Sequence, residues 1–386
     1  MTAKKATAKA TTQGGSGVMK FSSNRRVLYE GLENVVRAVA PRTTLPILNN
    51  VLLEAKGDQL RLVATDLEMG MECLMPVQEV GEGAVTVPAK VLNEVIGSLP
   101  DAEVTLTTDE RQVLSINCGK SQYAIHGLPA EEFPGLPLVG KEVTFSTNHH
   151  LLREMIKRTA FAASVDETRA MLTGVLVIWN GKELKLVATD TYRMAIATSA
   201  VEGEVEQEVR VIVPARAMHE LQRLLDGGEE AQVRVSIGEN QVQFDFDHLR
   251  LVSRLIEGQF PNFERVVPEN NEKFLYLKRV DLLTALRRAH IMARAEASKL
   301  IFRTQDGLLT IKAESPELGM AYEEIEARLQ GEAVEIAFNA EYLIQALSVM
   351  EAEEVEFGLS GAFNPGVLKP SGDPGYLYMV MPMQML

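Results

Sequence analysis

Cysteine is nearly missing from this chain: Cys73 and Cys118 are the two in 386 residues. They show no metal-ligand spacing and no even framework, so a disulfide scaffold and a thiolate zinc site are excluded, and a reducing compartment suits them. Long apolar runs are lacking too, and none approaches the ~18 residues that span a bilayer, which predicts a soluble protein. Positive charge is short, with 39 Lys and Arg against 53 Asp and Glu and a net charge of −14. That balance argues against a protein that coats nucleic acid with a uniformly basic surface. There is no phosphate loop, nucleophile elbow or zinc spacing. The opening residues MTAKKATAKATTQGGSGV have neither the apolar centre of a secretory signal nor the arginines of a transit peptide. Residues 1–18 are expected to form a flexible tail.

What the chain does have is repetition. Leu60 to Met71 reads LRLVATDLEMGM, Leu184 to Ile196 reads LKLVATDTYRMAI, and Leu309 to Ala321 reads LTIKAESPELGMA. Ala64, Ala188 and Ala313 stand 124 and 125 residues apart, too far for a solenoid. A second landmark drifts with the first: VTVPAKVLNEVIGSL from Val85, VIVPARAMHELQRLL from Val211 and IAFNAEYLIQALSVM from Ile336. Three copies of one domain are implied, at 19–138, 139–262 and 263–386, and the length allows them.

Each copy opens with an amphipathic stretch, predicted as helix over Ser23 to Ala40, Thr147 to Ala163 and Val280 to Ala293. In the second, Leu151, Leu152, Met155 and Ile156 share a face while Arg153 and Lys157 lie on the other. Short alternating segments follow, such as Asn50 to Ala55, Gln59 to Ala64 and Val175 to Trp179, broken by Lys56-Gly57-Asp58 and Asn180-Gly181-Lys182. These indicate antiparallel hairpins. A second helix starts at each V-P-A element, with Pro88 and Pro214 in its first turn and Asn339 as an N-cap in the third copy. More strands are expected over Ala102 to Thr107, Val113 to Cys118, Val233 to Ile237, Val242 to Phe246, Val355 to Leu359 and Tyr376 to Met381. Leu128 to Pro134 and Glu257 to Phe263, each with a Phe-Pro pair, read as extended linkers.

Charge is sorted by element. The predicted helices hold fourteen cations: Arg25, Arg26, Arg37, Lys90, Arg153, Lys157, Arg158, Arg216, Arg223, Lys278, Arg279, Arg287, Arg288 and Arg294. Against these stand seven anions: Glu30, Glu33, Glu94, Glu154, Glu220, Asp281 and Glu341. The helices thus carry about +7 and the remainder about −21, on formal charges. One such helix would be a solvated face. Taken together, the six fit a basic lining and an acidic exterior, if they share a surface.

With Met19-Lys20-Phe21, Arg42-Thr43-Thr44-Leu45-Pro46-Ile47-Leu48, the VATD elements, Phe260-Pro261, Arg265-Val266-Val267-Pro268 and the ending Met381-Pro382-Met383, the chain resembles bacterial DNA polymerase III beta subunits, the replicative sliding clamps. The resemblance runs from Met19 to the C-terminus. It implies an α+β fold of three tandem helix-plus-antiparallel-sheet domains, with two chains joined head to tail in a ring around duplex DNA. It implies a non-catalytic, cytoplasmic processivity factor without cofactor or metal, which binds DNA irrespective of sequence and tethers the replicative polymerase, the clamp loader and other proteins bearing a clamp-binding motif.

On the same resemblance, Arg42 touches DNA from a loop, and Arg153, Lys157, Arg158, Arg216, Arg223 and Arg287 line the hole. Tyr123 and Ile125 would close the ring against Ile291 and Met292, which ordinary core packing explains as well. An apolar pocket for short partner peptides would be walled by Leu172, Thr189, Tyr192, Arg193, Met194, Pro261, Arg265, Val266, Asn339, Tyr342, Met379, Met381, Pro382 and Met383. Flexible methionines suit several partners. The ending Gln384-Met385-Leu386 departs from the usual Met-Pro-Met-Arg-Leu, so an arginine contact at that rim is missing.

Two other readings compete. Asp66 and Asp190 as catalytic carboxylates would make an enzyme, but each recurs at one point of its own repeat, which suits a turn; His149-His150 point to different helix faces and lack a third metal ligand. An acidic scaffold that binds only proteins is the alternative, with its basic helices buried against a partner.

Overall fold

The computed structural model describes residues 18–40, 43–137, 139–140, 142–226, 228, 230–268, 270–305 and 307–385. In the first repeat, strand β1 (Lys20–Asn24) leads into helix α1 (Arg25–Val36). There follow β2 (Asn50–Lys56), β3 (Gln59–Thr65), β4 (Met69–Pro76), β5 (Gln78–Gly81), β6 (Gly83–Pro88), α2 (Ala89–Ser98), β7 (Glu103–Thr108), β8 (Val113–Cys118) and β9 (Ser121–His126). The second holds β10 (Val143–Asn148), α3 (His149–Thr159), β11 (Gly174–Trp179), β12 (Glu183–Thr189), β13 (Arg193–Ala200), β14 (Val209–Pro214), α4 (Ala215–Leu224), β15 (Gln232–Ile237), β16 (Gln241–Phe246) and β17 (Leu249–Arg254). The third holds β18 (Lys273–Lys278), α5 (Arg279–Ala293), β19 (Lys299–Gln305), β20 (Gly307–Ser315), β21 (Gly319–Gln330), β22 (Glu335–Asn339), α6 (Ala340–Val349), β23 (Glu354–Leu359), β24 (Gly366–Pro370) and β25 (Tyr376–Val380).

The predicted hairpins and second helices are present, with two differences. A strand of five or six residues precedes the first helix of every repeat, so helices expected from Ser23 and Thr147 begin at Arg25 and His149. Asparagine starts α1, α3 and α6: the side chains of Asn24, Asn148 and Asn339 accept hydrogen bonds from backbone N–H groups of the first turn, satisfying donors that the helix leaves open. Pro88 and Pro214 sit one residue earlier than expected, at the cap itself, where each also ends a strand.

The VATD elements are turns. Asp66 Oδ1 accepts from the N–H groups of Glu68 (3.0 Å) and Met69 (2.8 Å), and Thr65 Oγ1 donates to the Met69 carbonyl. Asp190 and Thr189 repeat this with Tyr192 and Arg193. Both turns force a non-glycine residue to positive φ, Leu67 at 75° and Thr191 at 80°, and the paired Asp and Thr side chains hold that strained backbone in place.

Contacts divide the chain into two compact units, 1–147 with 230–254, and 148–229 with 255–386. In the first unit one sheet runs β5-β1-β7-β8-β9, and a second runs β10-β15-β16-β17-β4-β3-β2-β6. Helices α1 and α2 pack together, with α1 lying on β3 and β4. Its linker phenylalanine, Phe133, is buried against Leu52 and Val63, worth about 2 to 3 kcal/mol of apolar burial. In the second unit a twelve-stranded sheet runs β14-β11-β12-β13-β25-β24-β23-β18-β21-β20-β19-β22, and α3 pairs with α4 as α5 does with α6. Phe263 from the second linker is buried in a cluster with Leu176, Ile178, Val187, Met194, Ile212, Val367 and Met379.

Within the first unit, β4 of the first repeat pairs with β17 of the second, which sets Arg250 opposite Glu72. Glu72 is 6% exposed. It accepts from Arg61 Nε (2.6 Å) and Arg250 Nη1 (3.0 Å), while Arg61 reaches Glu54 and Arg250 reaches Asp245. A row of alternating charge therefore crosses five neighbouring strands. Opposite charges facing each other support a sheet, and burial makes removal of one member costly. Glu72→Ala leaves Arg61 and Arg250 with one acid each, Glu54 and Asp245, and is expected to lose about 1 to 3 kcal/mol; urea unfolding checks this, and an unshifted midpoint would mean that the row adds no net stability.

Candidate functional site

The second unit is organised about β13, whose register against β25 places Arg193 opposite Val380 and Met194 opposite Met379. Arg193 is 7% exposed. Its Nε donates to Asp190 Oδ2 (3.0 Å), Nη1 to Gln345 Oε1 and Nη2 to the Phe161 carbonyl (2.9 Å). The guanidinium carbon lies 4.4 Å from the Tyr342 ring centroid and 5.5 Å from that of Phe161. A planar fork with five donors is what such a site requires. Arg193, expected in a pocket wall, is thus a buried strut that joins β13 to α6. Around it, Tyr378 donates to the Tyr342 carbonyl and Tyr376 to the Arg158 carbonyl, both at 2.9 Å, and burial raises both phenol pKa values.

Beside the strut opens a cavity of about 730 Å³ lined by Tyr192, Ala295, Glu296, Ala297, Lys299, Asn339, Tyr342, Met381, Pro382, Met383 and Gln384. Tyr192, Asn339, Tyr342, Met381, Pro382 and Met383 come together there as expected of a pocket. Thr189 and Leu172 are buried and Met194 and Met379 belong to the apolar cluster, which Met381, Phe260 and Val267 cover. Pro261, Arg265 and Val266 are exposed around the short 3-10 turn Phe263–Arg265, outside the cavity lining. The turn after α5 supplies Ala295, Glu296, Ala297 and Lys299, which the sequence did not mark. Ala297 and Ser298 take positive φ, 52° and 58°, with no glycine to announce the bend. Asn339 fixes it, because its Nδ2 donates to the Ala297 carbonyl (3.2 Å) while its Oδ1 caps α6.

Eight of the helix cations fall into three groups. Arg153, Arg216, Arg223 and Arg287 are exposed; Arg223 lies 3.9 Å from Glu220, and Arg287 donates to Ser348. Lys157 and Arg158 are engaged with acids: Lys157 meets Glu154 (3.1 Å) and Glu351 (3.0 Å), and Arg158 meets Asp373 (2.7 Å) over the Tyr376 ring. Desolvation opposes the Lys157 charge, yet the Glu351 and Glu154 carboxylates outweigh it and its pKa is raised.

The third group corrects the charge count. Arg25 Nε and Nη2 donate to the Ile96 and Gly97 carbonyls, and Arg279 Nε and Nη1 to those of Ala352 and Leu347. These two arginines close the far end of the neighbouring helix, where carbonyls lack partners and the dipole favours a cation. They are structural and leave the supposed basic face. Arg42 lies outside the described residues.

Tyr123 and Ile125 are on β9, an edge strand, with Tyr123 42% exposed and Ile125 8%. Ile291 is 54% exposed at the end of α5, and Met292 is half-buried beside it. Sequence reasoning passed over another open edge, the first half of β21. It pairs with β20 on one side, and its other side meets β18 only from Arg328 onward. Met320 and Tyr322 are exposed there.

Three tandem α+β repeats, each a helix pair backed by antiparallel sheet, define the class as a DNA clamp. Residues 19–137, 146–262 and 264–384 match the N-terminal, central and C-terminal domains of the DNA polymerase III beta subunit. Beta sliding clamps of Staphylococcus epidermidis and Staphylococcus aureus are each 32% identical over 377 residues, which cover 95% of this chain and 100% of theirs. A solved Pseudomonas aeruginosa sliding clamp bound to griselimycin has a TM-score of 0.92 at 33% identity, over 96% of this chain and 100% of that one. The Thermotoga maritima beta subunit gives 0.90 at 29%, over 95% and 100%. The chain belongs to the DNA polymerase III beta subunit family, the bacterial sliding clamps. Its function is that of a replication processivity factor, a non-catalytic accessory subunit that binds DNA and polymerase partners. No helix among the described residues is long and apolar enough to cross a membrane.

Because Arg193 joins three acceptors and two rings, Arg193→Ala is expected to destabilise the second unit by about 3 to 5 kcal/mol, the range for breaking a buried charge pair. Arg193→Lys should recover little, since an ammonium cannot reproduce the fork. Thermal melts of both variants measure this, and full recovery by lysine would refute the strut.

Proposed function

We propose that two copies of this chain join head to tail into a ring that encircles duplex DNA and slides on it in the cytoplasm. The observation that carries the reading is the repeated helix pair, with Arg153, Arg216, Arg223 and Arg287 exposed on the pairs of the second and third repeats. Arginines on such helices meet phosphates without reading bases. Arg42 adds a loop contact, and Lys157 and Arg158 contribute less because acids already hold them. The domains run 19–138, 139–262 and 263–386, with residues 1–18 outside them.

Ring closure would use β9 with Tyr123 and Ile125 on one protomer and the end of α5 with Ile291 and Met292 on the other. The open edge of β21 supports this, because unpaired strand edges seek a partner. The cavity beside Arg193 receives short peptides of the replicative polymerase, the clamp loader and other clamp-binding proteins. Around it we add the buried Leu172, Thr189, Met194 and Met379 and, outside its lining, the exposed Pro261, Arg265 and Val266. Occupation of the Pseudomonas aeruginosa clamp by griselimycin supports a ligand pocket in this fold. Encirclement turns weak, salt-sensitive attraction into a lasting link, and tethering raises the polymerase concentration at the primer end.

Loading onto nicked circular DNA with a clamp loader, followed by linearisation in high salt, tests the ring. Retention on the circle and escape from linear ends is expected, whereas equal loss from both, with an active loader, would favour the acidic protein-only scaffold. Arg153→Glu should weaken retention and lower the salt dependence by roughly one phosphate contact, with peptide binding intact.

A further inference from the structure

Helix α3 carries Arg153, Lys157 and Arg158 against one acid of its own, Glu154, an excess that suits a basic lining. Folding cancels it. Glu351, in the loop after α6, accepts from Lys157 Nζ (3.0 Å), and Asp373, in the turn between β24 and β25, accepts from Arg158 Nη1 (2.7 Å). Both of these acids come from the third repeat. With Glu154 they set three carboxylates against three cations, so these side chains together carry no net formal charge. Arg153, one turn before Lys157, is exposed and meets no acid among the described residues.

Stability is a weak reason for these two acids. The Glu351 side chain is 69% exposed, and an ion pair so open to water contributes little to folding. Arg158 is not used as Arg193 is, with every arm of the fork engaged: it gives Asp373 one N–H, and its Nε is buried without an acceptor. The third repeat is already tied to α3 at this point, because the Tyr376 hydroxyl donates to the Arg158 carbonyl (2.9 Å). What the acids do change is the charge that α3 presents. Asp373 is preset for this, since its Oδ1 holds the Gly375 N–H (2.9 Å) while Oδ2 meets Arg158. The Lys157 ammonium holds the Glu351 carboxyl below its usual range, so that group stays an anion.

We propose that Glu351 and Asp373 are built-in stand-ins for phosphate, which hold Lys157 and Arg158 back from the DNA backbone and leave Arg153 as the phosphate contact of α3, so that the ring slides instead of sticking. The inference rests on the ring reading above and assigns what sets the friction of that ring. Each cation that grips a phosphate adds a salt-sensitive attraction, which has to be broken at every step along the duplex. A carboxylate at hydrogen-bond distance from the lysine competes with an arriving phosphate and repels it. Encirclement already keeps the ring on DNA, and a firmer grip would add drag.

The time a ring takes to leave a linear end tests the assignment, with full-length chains loaded on nicked circular DNA that is then linearised at low or high salt. Glu351→Gln and Asp373→Asn remove the charges and keep an acceptor oxygen in each place, and thermal melts check that both variants fold. At low salt each should escape about two- to five-fold more slowly than the wild type, and the double variant more slowly still. High salt should erase the difference by screening. Adding Lys157→Gln to Glu351→Gln should restore wild-type escape, because the freed cation is gone. Equal escape of wild type and variants at low salt would overturn the inference and leave the acids as ties between repeats. Slowing that persists in high salt, or that Lys157→Gln leaves in place, would overturn it too. Equal loss of the wild-type ring from circle and linear DNA would overturn the ring reading itself, and this inference with it.

Discussion

Edge-to-edge strand pairing is the constraint on which the rest depends. The first repeat joins the second through β4 and β17, and the second joins the third through β13 and β25. At both seams hydrogen bonds of the backbone carry the boundary, so the sheet continues where the repeat ends. A seam of this kind fixes register, because a slip of one residue would turn every side chain to the wrong face. Each seam also holds a buried charge. Glu72 is an anion gripped by two arginines, and Arg193 is a cation gripped by an acid, an amide, a carbonyl and two rings. Such groups stabilise little compared with an apolar pair of equal shape, but they penalise any arrangement that separates them.

The placement of the cavity follows from the second seam. Arg193 occupies the start of β13 because the Asp190 turn ends there, and the same aspartate bonds both the turn and the strut. Tyr192, one residue earlier, is left exposed at the rim, and its carbonyl takes the N–H of Met381. The C-terminal strand is thereby led past the turn, bringing Met381, Pro382 and Met383 to the cavity. One repeated sequence element, chosen for turning the chain, has thus become the scaffold of the cavity in the copy where Arg193 follows it.

Much of this was legible. Spacing between copies, the hairpins and both helices of each repeat could be read because period and turn residues agree at those places. The cavity lining was read in half. Tyr192, Asn339, Tyr342 and the Met-Pro-Met ending carry recognisable motifs, whereas Ala295 to Lys299 bend through left-handed alanine and serine that no pattern distinguishes from helix continuation. The charge count went astray at Arg25 and Arg279, since a cation that closes a neighbouring helix and one that faces solvent look alike in sequence. Glu72 was invisible for a related reason: in an alternating strand a glutamate reads as outward-facing, and its partner Arg250 lies 178 residues away.

In the proposed ring, the open half of β21 would govern what its protomer refuses to join as well as what it joins. Glu324 and Glu326 project from that edge into solvent, and Glu323 is held by Arg288. If two such edges met, antiparallel pairing would set carboxylates against carboxylates, which destabilises a ladder. Strand β9, SQYAIH, bears no acid and presents Tyr123. A lone protomer is therefore protected from sticking to the like edge of its neighbour, and in the proposed ring the same side chains that discourage homotypic pairing would leave the unlike edge welcome.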